Sequence, residues 1–232
     1  MNLKGLKEFF GVWWKLMARP IYFYTFIEKS GWKERSLSFL LSVSWTLALF
    51  ISASALAIQL IWILLGLVSG VTGLKFLIIL PVFAALCAMF VFIIFLITGA
   101  FVFAASFVGF GVLSVINDAV FRLFYGKSDI KESAKAFFYS SGVLLFSILI
   151  FFMAVLVRYK ALSFANFATG ANIVMVLSLV YAWGLWSIAS RKIYRTGKTI
   201  SVLLTLISVL IVILLIAAAD IKLLPALERW IS

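Results

Sequence analysis

The chain has 232 residues, 66% of them hydrophobic and 12% charged, with a mean hydropathy of +1.22; soluble domains run at about 45–50% apolar and about 25% charged, so a polytopic membrane protein is expected. Twenty Lys and Arg against eight Asp and Glu give a net charge of +12. The basic residues flank apolar runs, where they orient spans and attract anionic headgroups, so nucleic-acid binding is not expected.

Histidine is absent and Cys87 is the single cysteine. That removes His-based acid/base chemistry, the Ser-His-Asp triad and the usual His/Cys metal sites. An enzyme is therefore not expected, nor a metal or other cofactor, and one cysteine forms no internal disulfide.

Residues 1–19 place Leu3, Leu6, Phe9, Phe10, Trp13, Trp14, Leu16 and Met17 on one side of a helix, with Lys4, Lys7, Glu8, Lys15 and Arg19 on the other. That pattern predicts an amphipathic helix lying in the membrane interface, with packing on the protein's own loops as the alternative. Pro20 ends it and opens a short helix over 21–29, which Ser30 and Gly31 stop. No cleavable leader pattern opens the chain, so the first span is expected to act as its own insertion signal. Trp32, Lys33, Glu34 and Arg35 form a charged, aromatic collar. Residues 1–35 thus read as an interfacial segment and 36–232 as one transmembrane domain.

Ser36 to Leu74 carries no charge. About 20 residues cross the hydrocarbon, so 36–65 reads as one long or tilted span and 66–75, with Gly66, Gly70 and Gly73, as a turn. Gln59 is the only amide in this run and a candidate intramembrane polar group. The next uncharged run, 76–117, is long enough for two spans joined at Thr98 and Gly99. Basic residues decide between one crossing and two. With one, the N-terminal stretch holds seven Lys and Arg, 118–135 holds four and 191–198 holds four, so one side carries fifteen of the twenty; with two, the split is eleven against nine. Five spans with a cytoplasmic N-terminus follow, the surplus length forming a tilted, broken or re-entrant segment around Pro81 and Gly99.

Asn117–Gly142 holds seven of the 28 charged residues, between long apolar runs. Asn117 and Asp118 are candidate intramembrane polar groups, and Asp118 stands four residues before Arg122, the favoured order for a helical ion pair. Tyr125 and Gly126 break the helix; either Asp129, with Glu132 three residues on, or Ser128 caps the next one. Gly126-Lys127-Ser128 looks like the end of a phosphate-binding loop, but Phe121 stands where its first glycine is needed and no strand precedes it, so nucleotide binding is not expected.

Residues 136–157 form the third span, closed by Arg158 and Lys160, and 162–172 a polar loop. Ile173 to Ser190 is the fourth, with Trp183 and Trp186 near its cytoplasmic end. Arg191, Lys192, Arg195 and Lys198 follow, with Gly197 as the breaker, and 199–221 is the fifth span before an amphipathic tail.

The central stretch resembles the prokaryotic members of the YIP1 domain family. The likeness is carried by Phe121, Arg122, Leu123, Phe124, Gly126, Lys127, Ser128, Lys131, Glu132, Phe138, Tyr139 and Ser140. Arg19, Pro20, Phe23, Gly31, Trp32 and Ser38 are similar to the approach to that family's first span, and Trp183 to Lys198 to its fourth span and basic turn. The chain departs from the pattern at Tyr125, where a glycine is usual, at Val143, where proline is common, and at Asn117 or Asp118, one of which occupies a place where histidine is frequent. The resemblance implies a five-span protein with a cytoplasmic N-terminus. Eukaryotic relatives act in vesicle traffic with small GTPases; their long cytosolic N-terminal region has no counterpart here, so GTPase binding is not carried over.

Two functions are compatible with these readings. One is a non-enzymatic scaffold or organiser working through the cytoplasmic face of a prokaryotic cell membrane; the other is a transporter or channel component moving a small solute or lipid. Expected partners are membrane lipids, anionic ones included, and a membrane or cytosolic protein. Candidate contacts are Trp13, Trp14, Arg122, Lys127, Lys131, Lys135, Tyr139, Arg191, Lys192, Arg195 and Lys198.

Overall fold

The computed structural model describes residues 3–25, 32–70 and 74–231. Among these every regular element is helical: α1 (Leu3–Ala18), α2 (Pro20–Thr25), α3 (Trp32–Gly70), α4 (Leu74–Tyr125), α5 (Ile130–Ser140), a 3₁₀ segment (Ser141–Ser147), α6 (Ile148–Arg158), α7 (Phe164–Tyr194) and α8 (Lys198–Ile231). Five stretches are long and apolar enough to cross a membrane: Arg35–Gln59, Leu80–Tyr125, Ile130–Arg158, Phe164–Tyr194 and Lys198–Ala218. The all-α five-span bundle expected from the sequence is the fold. Helices are required because hydrocarbon offers backbone groups no other partner. Hydroxyls obey the same rule: Ser42, Ser44, Thr46 and Ser52 each fold back onto the carbonyl four residues earlier, at 2.8–2.9 Å.

The expected stop at Ser30 and Gly31 lies outside the described residues, as does Gly73 of the expected turn. Helix α3 itself runs on to Gly70.

Of the alternatives for the second span, a long tilted, a broken or a re-entrant segment, the long helix is the one that forms. Helix α4 has 52 residues and runs unbroken through both Pro81 and Gly99. At 1.5 Å per residue it is about 78 Å long, well beyond the roughly 30 Å of hydrocarbon. Gly99 is buried not as a breaker but as a contact, because the Trp45 indole of α3 lies on its α-carbon and a methyl group there would overlap the ring. Trp45 also packs on Phe95, with ring centroids 4.9 Å apart. The surplus length becomes overhang. Tyr159, just after α6, donates to the Ala57 carbonyl at 3.0 Å, and α3 continues to Gly70, about 20 Å beyond that point.

The third span is three pieces in one line, and the seven-residue 3₁₀ segment is longer than the three or four residues usual for such helices. Hydroxyls of Ser140, Ser141 and Ser147 bond the carbonyls three residues earlier at 2.7, 2.6 and 2.6 Å, which suits the tighter winding. This segment receives α1. The Trp13 indole donates to the Gly142 carbonyl at 3.0 Å, and a side chain at Gly142 would meet Trp13 at 3.0 Å and Met17 at 3.1 Å. Phe9 packs on Phe39 with centroids 5.3 Å apart, Leu16 is fully buried, and the Tyr181 hydroxyl donates to the Met17 carbonyl. The apolar face expected to lie in the membrane interface is therefore divided: Phe9, Trp13, Leu16 and Met17 pack on the bundle, while Phe10 and Trp14 stay exposed.

The polar loop expected over 162–172 is mostly helix. Ser163 caps α7 by accepting from the Asn166 N–H at 3.3 Å, and Phe167 and Ala171 pack against Ala154 and Val157 of α6. Their apolar spacing carries the helix nine residues earlier than its polar neighbours suggest.

The Trp45–Gly99 contact sets the α3–α4 pairing. Gly99→Leu is expected to destabilise the bundle by about 1–3 kcal/mol, read as a lower thermal unfolding midpoint in detergent. In combination with Trp45→Ala the loss should be smaller than the sum of the two single effects; strict additivity would show that the contact does not carry the pairing.

Candidate functional site

Near the C-terminal end of α4, Asp118 is only 6% exposed. A carboxylate taken out of water needs donors close by, and the α4–α5 loop and the end of α7 supply them. Its Oδ2 accepts from the Ser128 hydroxyl at 2.6 Å, and its Oδ1 from the Asp129 backbone N–H at 2.7 Å and the Tyr194 hydroxyl at 2.8 Å. Phe121, on the same helix, stacks on the Tyr194 ring at 4.3 Å and 10°. Lys127 reaches the Tyr194 main-chain carbonyl at 3.0 Å, one of the unpaired carbonyls at the negative end of α7. Gly126, at φ +64°, makes the left-handed turn that doubles the loop back over Asp118.

Around this clamp Asn117 donates to Ser190 at 3.1 Å, while its Oδ1 is buried without a hydrogen-bond partner among the described residues. Ser133 donates to the Ser114 carbonyl at 3.2 Å. Asp129 caps α5, accepting from the Glu132 N–H at 3.2 Å. Since Ser128 is spent on Asp118, the choice between the two caps falls to Asp129.

Several candidates turn out to be structural. The expected Asp118–Arg122 ion pair does not form: Asp118 is held by its three donors and Arg122 stands exposed. Lys127 is an internal helix stopper. Lys135 is 3% exposed, 3.7 Å from Glu132, and Tyr139 is buried between Phe23 and Phe39, at centroid distances of 5.1 and 5.4 Å. Trp13 belongs to the α1 dock. Gln59 is half-buried two residues past Ala57, at the opposite end of the third span from Asn117 and Asp118. Trp14, Arg122, Lys131, Arg191, Lys192, Arg195 and Lys198 remain exposed.

Helix α7 ends on Arg195, not Gly197: Arg195 adopts the left-handed conformation at φ +52°, which costs an ordinary residue about 1–2 kcal/mol. There it lines a pocket of about 410 Å³ between α2, α5 and α7, with Lys135, Lys192, Asp129, Glu132 and Tyr24. Burial, then neighbouring Tyr181 and Tyr139, push the Tyr24 phenol above its ordinary pKa, so it stays a neutral donor, bonded to the Ala136 carbonyl at 3.3 Å. Asp129 is committed to its cap and Glu132 lies beside Lys135. This arrangement suits recognition of a polar group better than proton transfer.

No family model, curated protein or solved structure matches the chain. The site therefore rests on its own geometry. Among the exposed residues, Leu123 at 82% and Phe124 at 67% escaped the sequence reading of the site. Their signal was an apolar pair placed between Arg122 and Lys127 in the charged stretch between the second and third spans.

Asp118→Ala strands two hydroxyls and a backbone N–H, so a loss of about 3 kcal/mol or more is expected, against about 1 kcal/mol for Tyr194→Phe. Arg122→Ala should leave the thermal midpoint unchanged. An Arg122 effect as large as that of Asp118 would restore the helical ion pair.

Proposed function

We propose that the chain is a non-enzymatic membrane organiser that docks a partner protein through the tip formed by Arg122, Leu123, Phe124 and Lys131. The observation that carries this reading is an exposed apolar pair with a basic rim, on the last turn of α4 beside the loop that Asp118 and Lys127 tie down. Apolar anchors held in place before binding lose little entropy when a partner arrives. The basic residues gathered at this end support its placement in the cytoplasm. The resemblance to prokaryotic YIP1 proteins supports the same orientation, and the absence of histidine supports a role without acid/base catalysis.

A second reading, movement of a small apolar solute or lipid, is favoured by a cavity of about 490 Å³ among α4, the 3₁₀ segment, α6, α7 and α8. The Ser140, Ser147 and Ser178 hydroxyls on its wall donate to carbonyls of their own helices. Apart from Ser106, what remains facing the space is largely apolar.

Photoreactive residues at Leu123 and Lys131 in cells are expected to capture one discrete protein, and Leu123→Asp with Phe124→Asp to reduce capture about tenfold. Capture of lipid alone would overturn the docking role. Gly109 lines the cavity, and a side chain there would meet nothing within 4 Å. Gly109→Leu should leave capture intact; loss of a solute flux in proteoliposomes in that variant would establish the second reading.

A further inference from the structure

On the other side of α7 from the charged pocket lies a groove of about 510 Å³ between α2, α7 and α8. Its upper rim carries Arg191, Lys192 and Lys198, and no carboxylate lines it. All three cations are exposed. Below them the groove follows α7 past Ser187, Gly184 and Trp183 to Val180, with Ile21 of α2 on one wall and Val202 of α8 on the other. From Arg191 to Val180 this is about 16 Å of helix, close to the depth of one leaflet of a roughly 30 Å hydrocarbon core.

The polar atoms along the groove are already bonded. Trp183 donates to the Val202 carbonyl and to the Thr205 hydroxyl, both at 3.2 Å, and Ser187 donates to the Trp183 carbonyl at 2.8 Å. An occupant therefore meets a dry, fixed wall beneath three cations. Gly184 is the open point: it is exposed, and a side chain built there would meet nothing within 4 Å.

We propose that this groove is a binding site for one anionic glycerophospholipid, its phosphate held by Arg191, Lys192 and Lys198 and one acyl chain lying along Val180, Trp183 and Gly184. Charge complementarity selects the head, and the apolar groove, one leaflet deep, selects a chain attached to it. The site deepens the reading of the basic end as the membrane's cytoplasmic face and rests on that orientation for its leaflet, but not on partner capture at Leu123 and Phe124. Loss of one therefore leaves the other standing.

The test uses the purified full chain in lipid nanodiscs with phosphatidylglycerol carrying a diazirine in its acyl chain, and phosphatidylcholine carrying the same chain. Adducts mapped by mass spectrometry are expected on the 180–188 stretch, about tenfold more from phosphatidylglycerol, because each basic residue near the surface adds to anionic attraction. Gly184→Leu fills the groove without a clash and should abolish those adducts while leaving the thermal midpoint unchanged. Replacing Arg191, Lys192 and Lys198 with glutamine should erase the headgroup preference. Equal labelling by the two lipids in the unaltered chain, or undiminished labelling in Gly184→Leu, would overturn the site. Displacement of the lipid by millimolar inorganic phosphate would also overturn it, showing a headgroup pocket with no role for the chain.

Discussion

A carboxylate buried near the end of an apolar helix governs the half of this bundle that carries the α4–α5 loop. Asp118 is buried and its hydrogen-bond donors belong to the α4–α5 loop and to the last residue of α7. Satisfying it closes the loop over α4 and draws α7 against α4, and the Phe121–Tyr194 stack and the Lys127 contact then fall into register. The loop between the second and third spans is consequently a fixed edge.

Elsewhere the helices associate without a hydrophobic force between them, since lipid tails are as apolar as leucine. What replaces that force is close approach at small residues and hydrogen bonds across helices. Gly99 admits Trp45, Gly142 admits Trp13 and Met17, and Gly170 admits Met153. The indoles of Trp13, Trp183 and Trp186 each reach a partner on another element. Aromatic rings with a single polar atom are well fitted to this work, because they fill the space left by glycine and still find one acceptor.

Hydropathy and the placement of Lys and Arg were enough to read five helices and their order, because both signals are local and strong. The roles of individual residues were less legible for a reason that is also physical. Asp118 and Arg122 have the right spacing for an ion pair, yet two donors from the following loop and one from the end of α7 hold the carboxylate instead. Gly99 reads as a breaker in isolation; only the approach of Trp45, 54 positions away, shows why a side chain is excluded there. Lys135 and Tyr139 resemble surface residues in composition and are buried only because α5 and α2 meet the bundle, while Lys127 stays exposed and is tied down by the Tyr194 carbonyl. Arg195 lies in a run that reads as a simple charge cluster, and nothing in the run announces that the helix turns on it.

The 3₁₀ segment has a geometric consequence for the far half of the third span. Wound as an ordinary α-helix, the same seven residues would rise about 3.5 Å less and turn about 140° less. The serine hydroxyls bonded three residues back, and the indole on the Gly142 carbonyl, therefore act as the gauge that sets the azimuth of α6. Which of its faces meets α7 at Met153 and Gly170, and which is given to lipid, is decided not within α6 but a full turn earlier in the chain.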